Sequence, residues 1–171
     1  MRYLRSVLTL AVAGAAVFLC ACQEKAKPVP VYGLGEKVTV GHLVYTAFET
    51  RWQTQLGEGA GVRIPQNRFF IIHVTVTNSG GAPATVPNLV LEDDQGGTYT
   101  ELSNGDQVSQ WLGSLRQVAP ADSIQGAVLF DVMPRRYRLR IFDENAAQSS
   151  LIDVPLNLNA DTPSIPLPQG K

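Results

Sequence analysis

The chain has 171 residues, of which 44% are hydrophobic and 17% charged, with a formal net charge of −1. A near-neutral chain has no basic excess with which to hold nucleic acid, so nucleic acid is not expected as a partner. Two cysteines and two histidines are too few for a disulfide framework or a clustered thiol and imidazole metal centre.

Met1 to Arg5 carries Arg2 and Arg5, and Ser6 to Leu19 is almost wholly apolar. That run is shorter than the ~20 residues a membrane-spanning helix needs. Charge, a short apolar core and then small residues form the layout of a secretory signal peptide. The apolar core ends in Leu19-Cys20-Ala21-Cys22. This resembles a bacterial lipobox, in which the cysteine after a small residue is acylated and becomes the new N-terminus. Cys22 fits because Ala21 precedes it; Cys20 fits poorly because Leu19 precedes it. The resemblance implies that residues 1–21 are a lipoprotein signal peptide and that Cys22 carries palmitate-type acyl chains. Each buried CH₂ adds ~0.8 kcal/mol to membrane anchoring, so several chains hold a protein there essentially permanently. Processing would remove Arg2 and Arg5 from the 14 basic residues and none of the 15 acidic ones, leaving a mildly acidic chain without a free thiol. Gln23, rather than Asp, follows Cys22. In a cell with two membranes this favours the periplasmic side of the outer membrane.

Residues 22–33 are polar, with Pro28 and Pro30, and read as the lipidated cysteine plus a flexible tether. The alternative is that Val29 to Tyr32 docks as an edge strand. Folded structure is expected from about Gly35, in a domain spanning 34–158. Strands are predicted at 37–40 and 43–54, with Gly41 allowing a kink between them. Leu56 to Gly61 is a glycine-rich connector. It lacks the Gly-Lys-Ser/Thr ending of a phosphate loop.

The central prediction is one long strand from Arg68 to Thr77. Phe70, Ile72, Val74 and Val76 share one face, and Phe69, Ile71, His73, Thr75 and Thr77 the other. β-branched and aromatic residues at period two suit a pleated surface with one face fully buried. Asn78-Ser-Gly-Gly81 is expected to end it in a hairpin turn, because Asn and Gly accept positive φ. Further strands are predicted at 85–93, with Pro87 demoting its first half, and at 98–102, 124–132, 137–142 and 151–158. In 103–123, the spacing of Trp111, Leu112, Leu115 and Val118 allows either a turn or two of helix or a loop pinned by an apolar plug. Residues 159–171 read as a disordered Pro-rich tail. Seven or eight strands with turn signals at short intervals make an all-β sandwich.

The order of these signals resembles the bacterial immunoglobulin-like lipoprotein domains grouped as domain of unknown function 4352. The residues that carry the likeness are Gly35 to Gly41, the strand ending Val76-Thr-Asn-Ser-Gly80, the hairpin Asp93-Asp-Gln-Gly-Gly-Thr-Tyr99, and Val118-Ala-Pro-Ala-Asp122 before Gly126-Ala-Val-Leu-Phe-Asp-Val-Met-Pro134. Ala121-Asp122 stands where the family's turn has Gly-Glu. The resemblance implies an immunoglobulin-like sandwich outside the cytoplasm and no catalytic residues.

Candidate chemistry is sparse. His42 and His73 would need to lie together, with Met133 or a carboxylate as third ligand, to hold zinc or copper, so they are weak metal candidates. There is no Gly-x-Ser-x-Gly, so a nucleophile elbow is missing and no enzyme is expected. Glu92, Asp93 and Asp94 crowd one turn without calcium-loop spacing. No cofactor is expected. Arg135, Arg136, Arg138 and Arg140 form the one basic cluster in the sequence, suited to an acidic partner or anionic headgroups. Trp111 lies in the long irregular segment, where binding residues of rigid sandwiches concentrate. The expected function is a non-catalytic binding or accessory module on the membrane. Trp111, Arg136, Arg138 and Arg140 are its candidate contacts for an envelope protein. The runner-up is a carrier of a small ligand or metal.

Overall fold

The structure, a computed structural model, describes residues 28–157. Cys22, the signal peptide and the 159–171 segment lie outside them. The strands in chain order are β1 (Val31–Tyr32), β2 (Val38–Val40), β3 (Leu43–Gln53), β4 (Phe69–Asn78), β5 (Ala84–Thr85), β6 (Val90–Glu92), β7 (Thr98–Thr100), β8 (Gln117–Val118), β9 (Ser123–Asp131), β10 (Tyr137–Phe142) and β11 (Ser149–Val154). The two-residue strands β5 and β8 are too short for the sequence pattern to reveal, and β1 is the edge strand offered as the alternative for Val29 to Tyr32.

Two sheets face each other, one ordered β2-β3-β4-β9 and the other β1-β11-β10-β6-β7; β5 and β8 pair separately. The interior is built by alternation. Phe70, Ile72, Val74 and Val76 of β4 meet Leu139 and Ile141 of β10 in one buried cluster. Burying each such side chain contributes ~1.5–3 kcal/mol. Trp52 stacks on Phe70 with ring centroids 4.1 Å apart. It points inward only because β3 carries a bulge between Ala47 and Glu49. Before the bulge Leu43, Tyr45 and Ala47 face the core; after it the parity flips and Trp52 does.

Strand β4 departs from the one-faced reading. Phe69 and Ile71, on its outer face, are also buried, in a second cluster with Leu56, Val108, Ala127 and Leu129. Residues 102–116 supply that cover. They form a loop, not a helix: Gln110 and Gly113 both adopt positive φ. The loop runs along the free edge of β9. Leu102 N–H donates to the Leu129 carbonyl at 2.7 Å, Leu112 N–H to Ala127 at 3.0 Å, and Ala127 N–H to Gln110 at 2.8 Å. An exposed row of strand donors and acceptors is thereby occupied. Gly126 permits the approach, since a Cβ there would lie 2.2 Å from the Gln110 carbonyl oxygen.

Two expectations about chain ends and turns need correction. The fold begins before Gly35: β1 pairs in parallel with β11, and Leu151 N–H donates to the Pro30 carbonyl at 2.9 Å. Tyr32 packs against the main core, which is why this short strand docks. Asn78 does not make a positive-φ hairpin. It is fully buried, and its amide donates to the carbonyls of Ala82 (2.7 Å) and Val118 (3.0 Å) while its Oδ1 accepts from Gly80 N–H (2.8 Å). The chain leaves the sheet at Asn78 because this side chain satisfies the backbone of the crossing segments.

Candidate partner-binding surface

Alternation along β10 puts Tyr137, Leu139 and Ile141 in the core and Arg138 and Arg140 on the outer face of the five-stranded sheet. The neighbouring strands answer with acids. Arg138 stands opposite Glu92 of β6 on one side and Asp153 of β11 on the other. Arg140 Nε bonds Glu92 Oε1, and its Nη1 donates to Ser149 Oγ at 2.6 Å. Arg136 pairs with Asp153 and Arg135 with Asp93, each at 3.0 Å. The Arg138 side chain, exposed and between two carboxylates, makes no hydrogen bond or ion pair among the described residues. It lines a shallow cleft with Glu92, Asp94, Arg136 and Asp153. The cluster that reads as basic in the sequence is therefore a mosaic of four arginines and four carboxylates (Glu92, Asp93, Asp94 and Asp153). Sequence-local counting misses this because the acids arrive from other strands.

Asp93 anchors the rim of that surface. Its Oδ1 accepts from the N–H groups of Gln95 (3.0 Å) and Gly97 (2.7 Å), and its Oδ2 from the Tyr99 hydroxyl (3.0 Å) and Arg135. The Gly97 N–H above all, with Tyr99, Gln95 and Arg135, holds the carboxyl below its ordinary pKa, while the bond to Asp93 pushes the Tyr99 phenol up. Glu92 and Asp93 are engaged by the protein itself, and no group of three His, Cys, Asp or Glu side chains fit to hold a metal occurs among the described residues.

Trp111 is elsewhere. It packs on the Phe69–Leu129 cluster of the four-stranded sheet's outer face, with its ring carbons against Gly105, where a Cβ would sit 2.5 Å away. The two outer faces point in opposite directions, so Trp111 and Arg138 cannot belong to one contiguous contact. The histidines are also separated. His73 lies five residues along β4 from Asn78, which pairs with the residue after His42. At ~3.4 Å per residue that is about 17 Å. His42 Nδ1 instead meets Glu144 Oε1 at 2.5 Å, joining the β2–β3 turn to the β10–β11 turn. That bond holds the Glu144 carboxyl down at about 2.

Sequence reasoning missed a buried ion pair, Arg116 with Glu101, whose partners bracket the 102–115 loop. Glu101 also accepts from Leu89 N–H at 2.7 Å, and Arg116 Nε donates to the Gly113 carbonyl at 2.7 Å. Burial pushes the Glu101 carboxyl up despite the adjacent guanidinium. Its only sequence signal is a charged residue at each edge of a loop that otherwise holds a single charge, Asp106.

The fold is a β-sandwich whose five-stranded sheet carries an ion-paired outer face. The chain belongs to the family described as Domain of unknown function (DUF4352), whose model matches residues 32–148. No curated protein sequence matches it significantly. Among solved structures it is similar to the yjhA protein of Bacillus subtilis, with 14% identity, a TM-score of 0.58, and coverage of 72% of this chain and 99% of that one. It is similar to the secreted protein MPT63 of Mycobacterium tuberculosis, with 16% identity, a TM-score of 0.52, and coverage of 74% and 97%. It is also similar to an uncharacterized beta-sandwich protein of Clostridium difficile 630, with 8% identity, a TM-score of 0.51, and coverage of 78% and 99%. At these identities the likeness concerns the fold.

Proposed function

We propose that this is a lipid-anchored protein of the cell envelope whose immunoglobulin-like sandwich is a non-catalytic binding module. Its contact surface for a protein partner is the outer face of β10, formed by Arg136, Arg138 and Arg140 with their acidic neighbours. In a cell with two membranes the anchor sits on the periplasmic side of the outer membrane. The observation that carries the binding reading is Arg138: an exposed guanidinium, in register with Glu92 and Asp153, that bonds to neither. The exposed Arg136–Asp153 pair beside it is worth only ~0–1 kcal/mol, so a partner can exchange it for its own contacts at little cost. Charged mosaics of both signs give register and specificity more than affinity. The leader and Cys22 support the anchoring. On this reading Trp111 holds the loop over β9.

The test is crosslinking of the full-length lipoprotein in its own cells, with Cys22→Ala and Arg136→Ala/Arg138→Ala variants. The reading expects one recurrent envelope protein, lost in both variants. A partner retained by the double arginine variant at normal protein level would refute this surface. Undiminished membrane association of Cys22→Ala would refute the anchor.

A further inference from the structure

The bulge in β3 does more than turn Trp52 inward. It also reverses Arg51 and Gln53, which would otherwise share the core-facing parity of Ala47, and places them on the outer face of the four-stranded sheet. Bulges that re-aim side chains are concentrated beside functional sites. On that face Arg51 stands opposite Ile71, and Glu49 opposite His73. They border a cleft of about 180 Å³ whose far wall is the 107–109 stretch of the loop. The floor is apolar: Leu56, Ile71 and Val108 are all buried in the second cluster. The walls are polar and hold unused donors. The side chains of His73, Gln53 and Ser109 make no hydrogen bond among the described residues. Arg51 donates from Nη2 to Glu49 at 3.0 Å, and both members of that pair are about half exposed. Such a pair is weak, so the guanidinium can turn to another acceptor. The Gln107 amide donates to the Gly61 carbonyl at 2.6 Å, which fixes the loop wall.

We infer that this cleft is a binding site for a small carboxylate with a short hydrocarbon body. An apolar floor beneath a few convergent polar groups is the make-up of small-molecule sites. The class of ligand follows from the groups present. The planar fork of Arg51 matches a carboxylate through two parallel hydrogen bonds. The His73 ring, the Gln53 amide and the Ser109 hydroxyl supply further donors on the same walls. Leu56, Ile71 and Val108 cover hydrocarbon. With one arginine above an apolar floor, the cleft suits the single charge of a carboxylate better than the two of a phosphate. Its volume equals that of about six water molecules at ~30 Å³ each, which suits a chain of a few carbons. A free acid and the C-terminus of a peptide ending in an apolar residue both present this chemistry. The cleft lies on the sheet opposite β10, so it stands or falls separately from the contact surface proposed above.

Titration of pentanoate into the full-length protein in nanodiscs of zwitterionic lipid, followed by saturation-transfer NMR of the ligand against empty nanodiscs, tests this. The inference expects saturable binding with a Kd on the order of 1 mM, ordinary for a ligand this small. Arg51→Gln should weaken it about tenfold, through loss of the charge-assisted bonds, and keeps its fold because Arg51 is half exposed. Glu49→Gln should tighten it severalfold, because it removes the carboxylate that competes for Arg51. Pentanamide, which has the same shape without the charge, should bind at least about tenfold more weakly. An acetylated Ala-Val peptide separates the two sources. Displacement of pentanoate by the peptide below pentanoate's own Kd assigns a peptide C-terminus, displacement only above it assigns a free acid, and the peptide's C-terminal amide should displace nothing. Lack of saturable binding, pentanamide equal to pentanoate, or an unchanged Kd in Arg51→Gln would overturn the site. Displacement of pentanoate by inorganic phosphate below pentanoate's own Kd would overturn the carboxylate class.

Discussion

Replacing Arg116 by Met isolates the most consequential charge in the domain. The Arg116 and Glu101 side chains are 1% and 2% exposed. Without Arg116, Glu101 keeps one donor, the Leu89 N–H. Removing one member of a buried pair costs ~3–5 kcal/mol because it strands the other charge. Against a total stability of ~5–15 kcal/mol that is a large loss. The sign of its pH dependence follows from burial. The Glu101 carboxyl is already pushed up in the folded protein. A carboxyl whose folded pKa exceeds its unfolded value binds a proton on folding, so it favours folding as pH falls through that folded value. Losing the guanidinium raises it further, and Arg116→Met is expected to be least harmful in mild acid and most harmful near pH 8. Removing both charges, as Glu101→Leu/Arg116→Met, leaves only the Leu89 N–H and the Gly113 carbonyl to satisfy. At ~1–3 kcal/mol per orphaned group the double variant should be less damaged than Arg116→Met alone. Urea midpoints by far-UV circular dichroism at several pH values give these numbers. A loss below ~1 kcal/mol for Arg116→Met, or strictly additive single losses, would refute the reasoning.

Three other outcomes are expected. Glu144→Gln should lower the urea midpoint at pH 7 but not at pH 2. The His42 bond depresses the Glu144 carboxyl to about 2 from an ordinary 4.5, so its contribution is present above about 4.5 and is lost as pH falls toward 2. Asn78→Ala should cost about 3 kcal/mol in the same assay, since it strands the Ala82 and Val118 carbonyls and the Gly80 N–H at the lower end of ~1–3 kcal/mol each. Ala121→Gly should stabilise by about 0.5–1 kcal/mol: Ala121 is held at φ 57, a conformation costing a non-glycine residue ~1–2 kcal/mol, partly offset by the greater unfolded-chain entropy of glycine.

Ala121 also shows how the sequence could be read and where reading stopped. The family's turn has glycine at this position, and the positive φ is the physical reason for it. The eight longer strands were legible because each alternates for three residues or more between turn signals, and alternation is a local property. What was not legible depends on which strands become neighbours. Val31 and Tyr32, which the sequence left open between tether and edge strand, form a strand because β11 offers a free edge. Phe69 and Ile71 are buried from outside because residues some thirty to forty positions later fold over them. Asn78 reads as a turn residue by composition, yet its amide is spent on Val118, forty positions away.

The same distinction governs the surface. Arginines at 135, 136, 138 and 140 are adjacent in sequence, so their positive charge dominates a linear reading. Antiparallel pairing then sets Glu92 and Asp153 on either side of Arg138, and the turn at Asp93 receives Arg135. A lipid-binding patch keeps its cations unopposed; here each of the four arginines has a carboxylate within one strand of it. The electrostatic pull on an anionic bilayer is cancelled at close range, while the pattern of alternating sign is retained. Such a surface discriminates between protein partners by position of charge rather than by total charge. This is why the proposal assigns the face of β10 to a protein partner and not to a membrane.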